Sequence, residues 1–327
     1  MSNINILIIG SGSLGSRHLQ GLLTVKVPLT VFVLDPSDES LQLAQDRAKQ
    51  IKHSHALHFQ KDWKGLPDKL LLSIVSTSSN IREDIVMKLI SEYQVSNLLL
   101  EKVLFQAIAS YRRIEKLINE KGLKVWVNHA RRMMEPYQLV KQYLAEFNEK
   151  IHFQVFGGGW GIGCNGLHFL DLLTYITNEP IKVINSKDID NVIHQSKRSG
   201  FVEFSGTISG TTKNGSTFNI CSRKDESSPI TISILSQSIR LIISENSNEI
   251  SVIKLCKKNQ YKPEISNYEM KFQSELTGIF TTEIIEDKNV NLPIYGQACE
   301  LHIPFIRSLL KKYNQITGIN SKICPIT

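Results

Sequence analysis

Gly10-Ser11-Gly12-Ser13-Leu14-Gly15 is a glycine triplet spaced to hold a pyrophosphate. The first glycine permits a tight turn, the second lets the backbone approach a phosphate, and the third allows close packing of helix on sheet. Ser11, Ser13 and Leu14 contribute backbone N–H groups, and a helix start favours negative charge. Asp35 lies twenty residues beyond Gly15, where the apolar run 29–34 ends. A carboxylate at that place accepts hydrogen bonds from a ribose 2′-OH and repels a 2′-phosphate, which points to NAD rather than NADP. The plainer alternative is a flexible turn followed by a helix-capping aspartate, but it leaves the shared register of strand, glycines, helix and acid unexplained.

Three further clusters carry groups suited to hydride chemistry. Ser76-Thr77-Ser78-Ser79-Asn80 follows the apolar run 69–75. Ser76, Thr77 and Asn80 either line a cofactor or cap the next helix, with Asn80 as the cap. Glu101-Lys102 follows Leu98-Leu99-Leu100. A lysine at a strand end beside a nicotinamide can hydrogen-bond a reacting hydroxyl and help its proton leave; otherwise the dipeptide is a surface ion pair. His168 has Asn165 three residues before it and Asp171 three after, so all three share a helix face. Histidine titrates nearest to neutral pH and suits proton exchange with a carbinol, although a lone helical histidine can be purely structural. The glycine-rich stretch Gly157 to Gly161, interrupted by Trp160, forms a close-approach surface just before it.

The elements that must position these groups follow from periodicity. Apolar runs at 4–9, 29–34, 56–59, 69–75, 97–100 and 124–127 alternate with amphipathic stretches at 16–23, 37–51, 81–93 and 107–120, with Gly122 placed to stop the last. This alternation predicts a doubly wound, parallel Rossmann sheet over residues 1–128. Beyond it, a strand at 151–156 and a helix at 165–176 precede strand-like runs at 201–208, 216–221, 229–235, 238–244, 249–255 and 267–272. Successive strands without helices predict an α+β domain over 129–327, built on an open, largely antiparallel sheet and closed by a helix at 295–313.

A chain of 327 residues is long enough for two cores. It has no apolar run of membrane-spanning length and no leader pattern, so a cytoplasmic protein without membrane contact is expected. Cys164, Cys221, Cys256, Cys299 and Cys324 are odd in number and include no C-x-x-C pair, which argues for free, buried thiols and against disulfides or a metal site. The net charge of +7 suits anionic ligands, but no dense basic run interleaved with aromatics points to nucleic acid.

Taken in order, these motifs resemble the Gfo/Idh/MocA oxidoreductase family along nearly the whole chain. Gly10 through His18 looks like that family's phosphate loop, and Ile74-Val75-Ser76-Thr77 like its strand-end cofactor segment, with Ser78 for the usual proline. Glu101-Lys102-Val103 is similar to its E-K-P signature with valine for proline, and Val127 through Arg132 to the segment joining its two domains. His168 matches its catalytic histidine, with Asp171 at the following acidic position. Cys164 stands where many members have an aspartate. The resemblance implies NAD chemistry on a sugar, cyclitol or sugar nucleotide. Lys102 and His168 would then handle a hydroxyl proton, Glu101 would lie with Lys102 at the cofactor, and Arg131, Trp160, Asn165 and Asp171 would shape a carbohydrate pocket. It also implies a homodimer or homotetramer. Relatives that use transient oxidation for elimination, and a non-catalytic dinucleotide-sensing regulator, are its two other readings.

Overall fold

The computed structural model describes residues 4–224, 226–255 and 263–327. Strands β1 (Ile4–Ile9), β2 (Leu29–Leu34), β3 (Ala56–Gln60), β4 (Lys69–Val75), β5 (Gln94–Leu100) and β6 (Lys124–Val127) form one parallel sheet in the order β3-β2-β1-β4-β5-β6. Consecutive Ile6, Leu7 and Ile8 on β1 are all fully buried, so both faces of the sheet are covered, as parallel strands require. Helices α1 (Gly15–Leu22), α2 (Asp38–Ala48), α3 (Arg82–Glu92) and α4 (Ile108–Lys121) connect the strands. Strand order reverses between β1 and β4, and the ends of those two strands flank the switch point where dinucleotides bind in such sheets.

The second sheet is eight-stranded and mixed. After α5 (Glu135–Phe147) come β7 (His152–Gly158), α6 (Ile162–Thr177), β8 (Ile181–Asn185), and a separate two-stranded ribbon of β9 (His194–Gln195) and β10 (Val202–Glu203). Then follow β11 (Gly206–Thr212), β12 (Thr217–Arg223), β13 (Thr231–Leu235), β14 (Ile239–Ser244), β15 (Glu249–Lys254), β16 (Glu264–Asn267), α7 (Gln273–Ile285) and α8 (Tyr295–Thr317). The order is β16-β15-β14-β13-β7-β12-β11-β8, with only β7 and β12 parallel. Burial alternates along β12 and β14, which puts one face on the core.

Several elements differ from expectation. The run 267–272 is not a strand; β16 ends at Asn267 and α7 begins at Gln273. The run 201–208 breaks into β10 and β11 around Phe204 and Ser205. Helix α6 starts three residues earlier than expected, at Ile162. The chain divides into one unit of residues 1–105, 109–130 and 271–296, and another of 106–108, 131–270 and 297–327. A single boundary at 128/129 therefore misplaces α7, which packs on α1. Gly21 and Gly278 make the approach possible: a Cβ on Gly278 would lie 2.6 Å from the Gly21 carbonyl oxygen. Cys299 and Cys324 are buried and Cys164 and Cys221 only half-buried, and none of the four forms a disulfide; Cys256 lies outside the described residues. No described helix is long and apolar enough to cross a membrane.

Candidate active site

In the first unit the glycine loop turns directly off β1. Gly10 adopts φ +88°, and a Cβ on it would meet the Thr77 backbone nitrogen at 2.9 Å. A Cβ on Gly15 would fall 1.8 Å from the Gly10 carbonyl oxygen. Gly12 differs: the nearest atom to its Cβ position is Ser40 Oγ at 3.9 Å. The two outer glycines serve the fold, and the middle one leaves an open cradle with Ser13 exposed and Leu14 half-buried at its rim. Ser76 closes the base, its hydroxyl donating to the Gly10 carbonyl at 2.6 Å. Asp35 is 8 % exposed and accepts from the N–H of Ser11 at 2.6 Å and of Ser37 at 2.9 Å. Two lone-pair sites of the carboxylate remain for a ribose hydroxyl. These residues fit a dinucleotide.

Asn80 does not cap α3. Ile81 occupies the N-cap position, and Asn80 is exposed, accepting from Ser78 Oγ at 2.7 Å. Glu101 is turned into the interior at 3 % exposure. Its Oε1 accepts from His18 Nε2 at 3.0 Å and from Asn128 Nδ2. Burial alone would raise its pKa, but the hydrogen bonds and charge of His18, with help from Asn128 and Lys102, hold the carboxyl below the usual range. Gln273 and Thr277 of α7 complete the network, against Asn128 at 2.8 Å and His18 Nδ1 at 2.9 Å respectively. Lys102 is half-buried just past β5. Its loop is held by a residue with no legible signal in the sequence, Arg82, only 1 % exposed. The Arg82 guanidinium donates to the carbonyls of Glu101 at 2.7 Å and Leu104 at 3.1 Å, and to those of Thr77 and Val103. It ties the two strand-end loops into one frame.

In the second unit α6 carries Asn165, His168 and Asp171. Burial along it, with Leu167, Phe169, Leu170, Leu172 and Leu173 fully buried, leaves Cys164, Asn165 and His168 half-buried on the remaining face. Glu203, also absent from the sequence reading, caps this helix by accepting from the N–H of Cys164 at 3.0 Å and of Gly163. Asn165 donates to the Trp160 carbonyl, and the Trp160 ring meets Phe169 edge-on at 5.1 Å. Trp160, Cys164, Asn165 and Glu203 line one cavity of about 290 Å³.

Arg131 and Asp171 are committed elsewhere. Arg131 makes a bidentate pair with Glu245 at 2.7 and 2.8 Å and lies 4.5 Å over the Phe169 ring. Burial would raise the Glu245 pKa, and the Arg131 charge overrides it and brings it down. Asp171, 1 % exposed, is held by both nitrogens of the Arg132 fork at 2.8 and 2.7 Å. Its pKa is raised by burial, which Arg132 only partly offsets. An Arg132→Ala variant leaves that carboxylate buried without its partner, and the expected loss of stability is about 3 kcal/mol or more. Replacing both residues by apolar ones should recover most of it. Denaturation midpoints of the single and double variants check this; an unaffected single variant would show that the pair stabilises nothing.

Residues 4–129 match the model of an oxidoreductase family with an NAD-binding Rossmann fold. That family is Gfo/Idh/MocA, and the match spans the first sheet with its connecting helices. Solved structures extend the likeness in fold to the rest of the chain. The super-repressor mutant of Gal80p from Saccharomyces cerevisiae shares 14% identity over 96% of both chains, with a TM-score of 0.74. Levoglucosan dehydrogenase in complex with NADH shares 14%, over 96% of this chain and 98% of that one, with a TM-score of 0.72. UDP-N-acetylglucosamine 3-dehydrogenase GnnA from Acidithiobacillus ferrooxidans shares 14%, over 94% and 97%, with a TM-score of 0.69. A search of curated protein sequences returns no match. At these identities the likeness is one of fold.

Proposed function

We propose that this chain is a Gfo/Idh/MocA-type, NAD-dependent oxidoreductase acting on a CH–OH carbon of a sugar, cyclitol or sugar nucleotide. The observation that carries the reading is the open space over Gly12, set between two glycines whose own Cβ positions are blocked. Gly12, Ser13 and Leu14 would hold the pyrophosphate, Asp35 the adenosine ribose, and Ser76 and Thr77 the inner wall. NAD, when bound, supplies a hydride acceptor. Lys102 would hydrogen-bond the substrate hydroxyl and favour loss of its proton, and His168 would exchange that proton. Trp160 and Asn165 shape the carbohydrate pocket; Arg131 and Asp171 support it through their ion pairs. The reading places the enzyme in the cytoplasm as a homo-oligomer.

One observation favours a second reading. Cys164 brings no carboxylate to α6, and a dinucleotide sensor without turnover would need none there. Screening neutral and acidic sugars, cyclitols and sugar nucleotides for NADH formation separates the two. Turnover of any of them establishes the enzyme, and tight NAD binding with no turnover across the panel would overturn it. Protein purified with NAD already bound would instead favour elimination chemistry driven by transient oxidation.

Cofactor choice is expected to depend on Asp35. NAD should bind more tightly than NADP, and Asp35→Ser should narrow or invert the difference by removing the charge that faces a 2′-phosphate. Fluorescence titration of both cofactors reads this directly. Equal affinities in the parent protein would sink it.

A further inference from the structure

The second unit carries another concavity, a groove of about 600 Å³ between strand β8, at one edge of the sheet, and helix α8. Lys182, Lys187, Arg307, Lys311 and Lys312 line it, and no aspartate or glutamate does. Among the described residues none of the five makes an ion pair, whereas Lys49, Lys61, Arg113, Lys254 and Lys288 elsewhere on the surface each have a carboxylate within 4 Å. Lys312 is the telling member. It is 5 % exposed, and its ammonium donates only to neutral oxygens, Asn191 Oδ1 at 2.8 Å and the Lys187 carbonyl at 3.4 Å. A cation that far from water calls for a counter-charge.

Protection of an exposed strand edge explains lysines on β8, because charge there deters pairing with other chains. It accounts for Lys182 and, two residues past the strand's end, for Lys187. It does not account for Arg307 and Lys311, one turn apart on α8 and turned to the same groove, or for the burial of Lys312. The groove's volume falls in the range of small-molecule sites, roughly 300 to 1,000 Å³. It has no aromatic residue in its wall on which a base could stack, which disfavours a single-stranded nucleic acid. Five like charges also disfavour the same face of a second copy.

We propose that this groove binds a small organic polyanion, one carrying two or more phosphate or carboxylate groups, at a site separate from the dinucleotide cradle and the α6 cavity. Arg307 offers a planar fork to one acidic group, while Lys312 from α8 and Lys187 from just past β8 meet a second. The inference stands whether or not the chain turns over a sugar.

Calorimetric titration of the full chain with tripolyphosphate, citrate and acetate tests it, with saturating NAD present to fill the phosphate loop. Tripolyphosphate or citrate should bind once per chain, at least about tenfold more tightly than acetate, with affinity falling as salt rises. Which of the two is preferred distinguishes phosphate from carboxylate. An R307E/K311E variant should lose about tenfold or more while keeping the parent's circular dichroism and NAD affinity, since both side chains are exposed. K182E serves as a second variant should that one misfold. Absence of saturable binding, binding that neither variant weakens, or a clear preference for an RNA oligomer over tripolyphosphate would each overturn the proposal.

Discussion

Gly12→Val is expected to fold like the parent and to lose NAD binding by about a hundredfold or more, some 2.8 kcal/mol. The two halves of that expectation come from the same geometry. The Cβ position of Gly12 has ordinary contact distance to Ser40 Oγ and no other neighbour within 4 Å, so the protein itself accepts a side chain there. A bound pyrophosphate would occupy that space and take the backbone N–H groups around it, so the cofactor does not. Gly15→Ala makes the contrast. Its methyl group would meet the Gly10 carbonyl at 1.8 Å, and that variant should lose the fold along with the ligand. Calorimetry with NAD, together with thermal unfolding of both variants, separates them. Unchanged NAD affinity in a folded Gly12→Val variant would reduce the glycine loop to a turn.

The cradle could be read from the chain because each of its requirements is local. Strand, turn and helix follow within nineteen residues, and the residue types themselves state the constraint. Parallel strands buried on both faces write continuous apolar runs, and β1, β2, β4 and β6 begin and end where those runs do. Helix α7 shows the opposite case. Leu276, Thr277, Gly278, Phe280 and Thr281 are all buried, so no polar face sets off an apolar stripe. Its place beside α1 rests on Gly21 and Gly278, more than 250 residues apart in the chain. Helix α5 carries one local signal, Pro136 in its first turn, with no capping side chain beside it to mark the start.

The side chains divide in the same way. Their types and strand-end or helical positions were legible; their partners were not. Glu101, Arg131 and Asp171 look from the sequence like groups facing a ligand, and each is held by a partner that the fold brings to it: His18, Glu245 and Arg132 respectively. Burial makes such pairing obligatory, because an ionised group with little exposure needs hydrogen-bonded compensation. Arg82 and Glu203 were missed for the complementary reason. A lone arginine at a helix start and a lone glutamate between two hydrophobic residues have no pattern, yet they fix the loop of Lys102 and the first turn of α6.

Lys102 and His168 are the groups proposed to meet the reacting hydroxyl, and their removal should show it most directly. Each side chain is half-buried on a backbone anchored from below, by Arg82 in one case and by Glu203 in the other. Loss of a positioned acid–base group typically costs about a hundredfold or more, so His168→Ala and Lys102→Ala should each reduce turnover on that scale. If the two act on one proton, the double variant should be little worse than either single one, because groups working as a unit are strongly non-additive. Cofactor binding gives the internal control: NAD affinity should survive His168→Ala, since the dinucleotide cradle is built from β1, β2 and β4. Cys164→Ala should be mild, because a thiol supplies neither the charge nor the acceptor strength of a carboxylate, and the N–H that Glu203 accepts from is the backbone's. Single-turnover kinetics on the first sugar that yields NADH decides each point. Full activity in His168→Ala would remove the histidine from the mechanism, additive losses in the double variant would assign the two residues to separate steps, and a large loss in Cys164→Ala would make the thiol itself part of the chemistry.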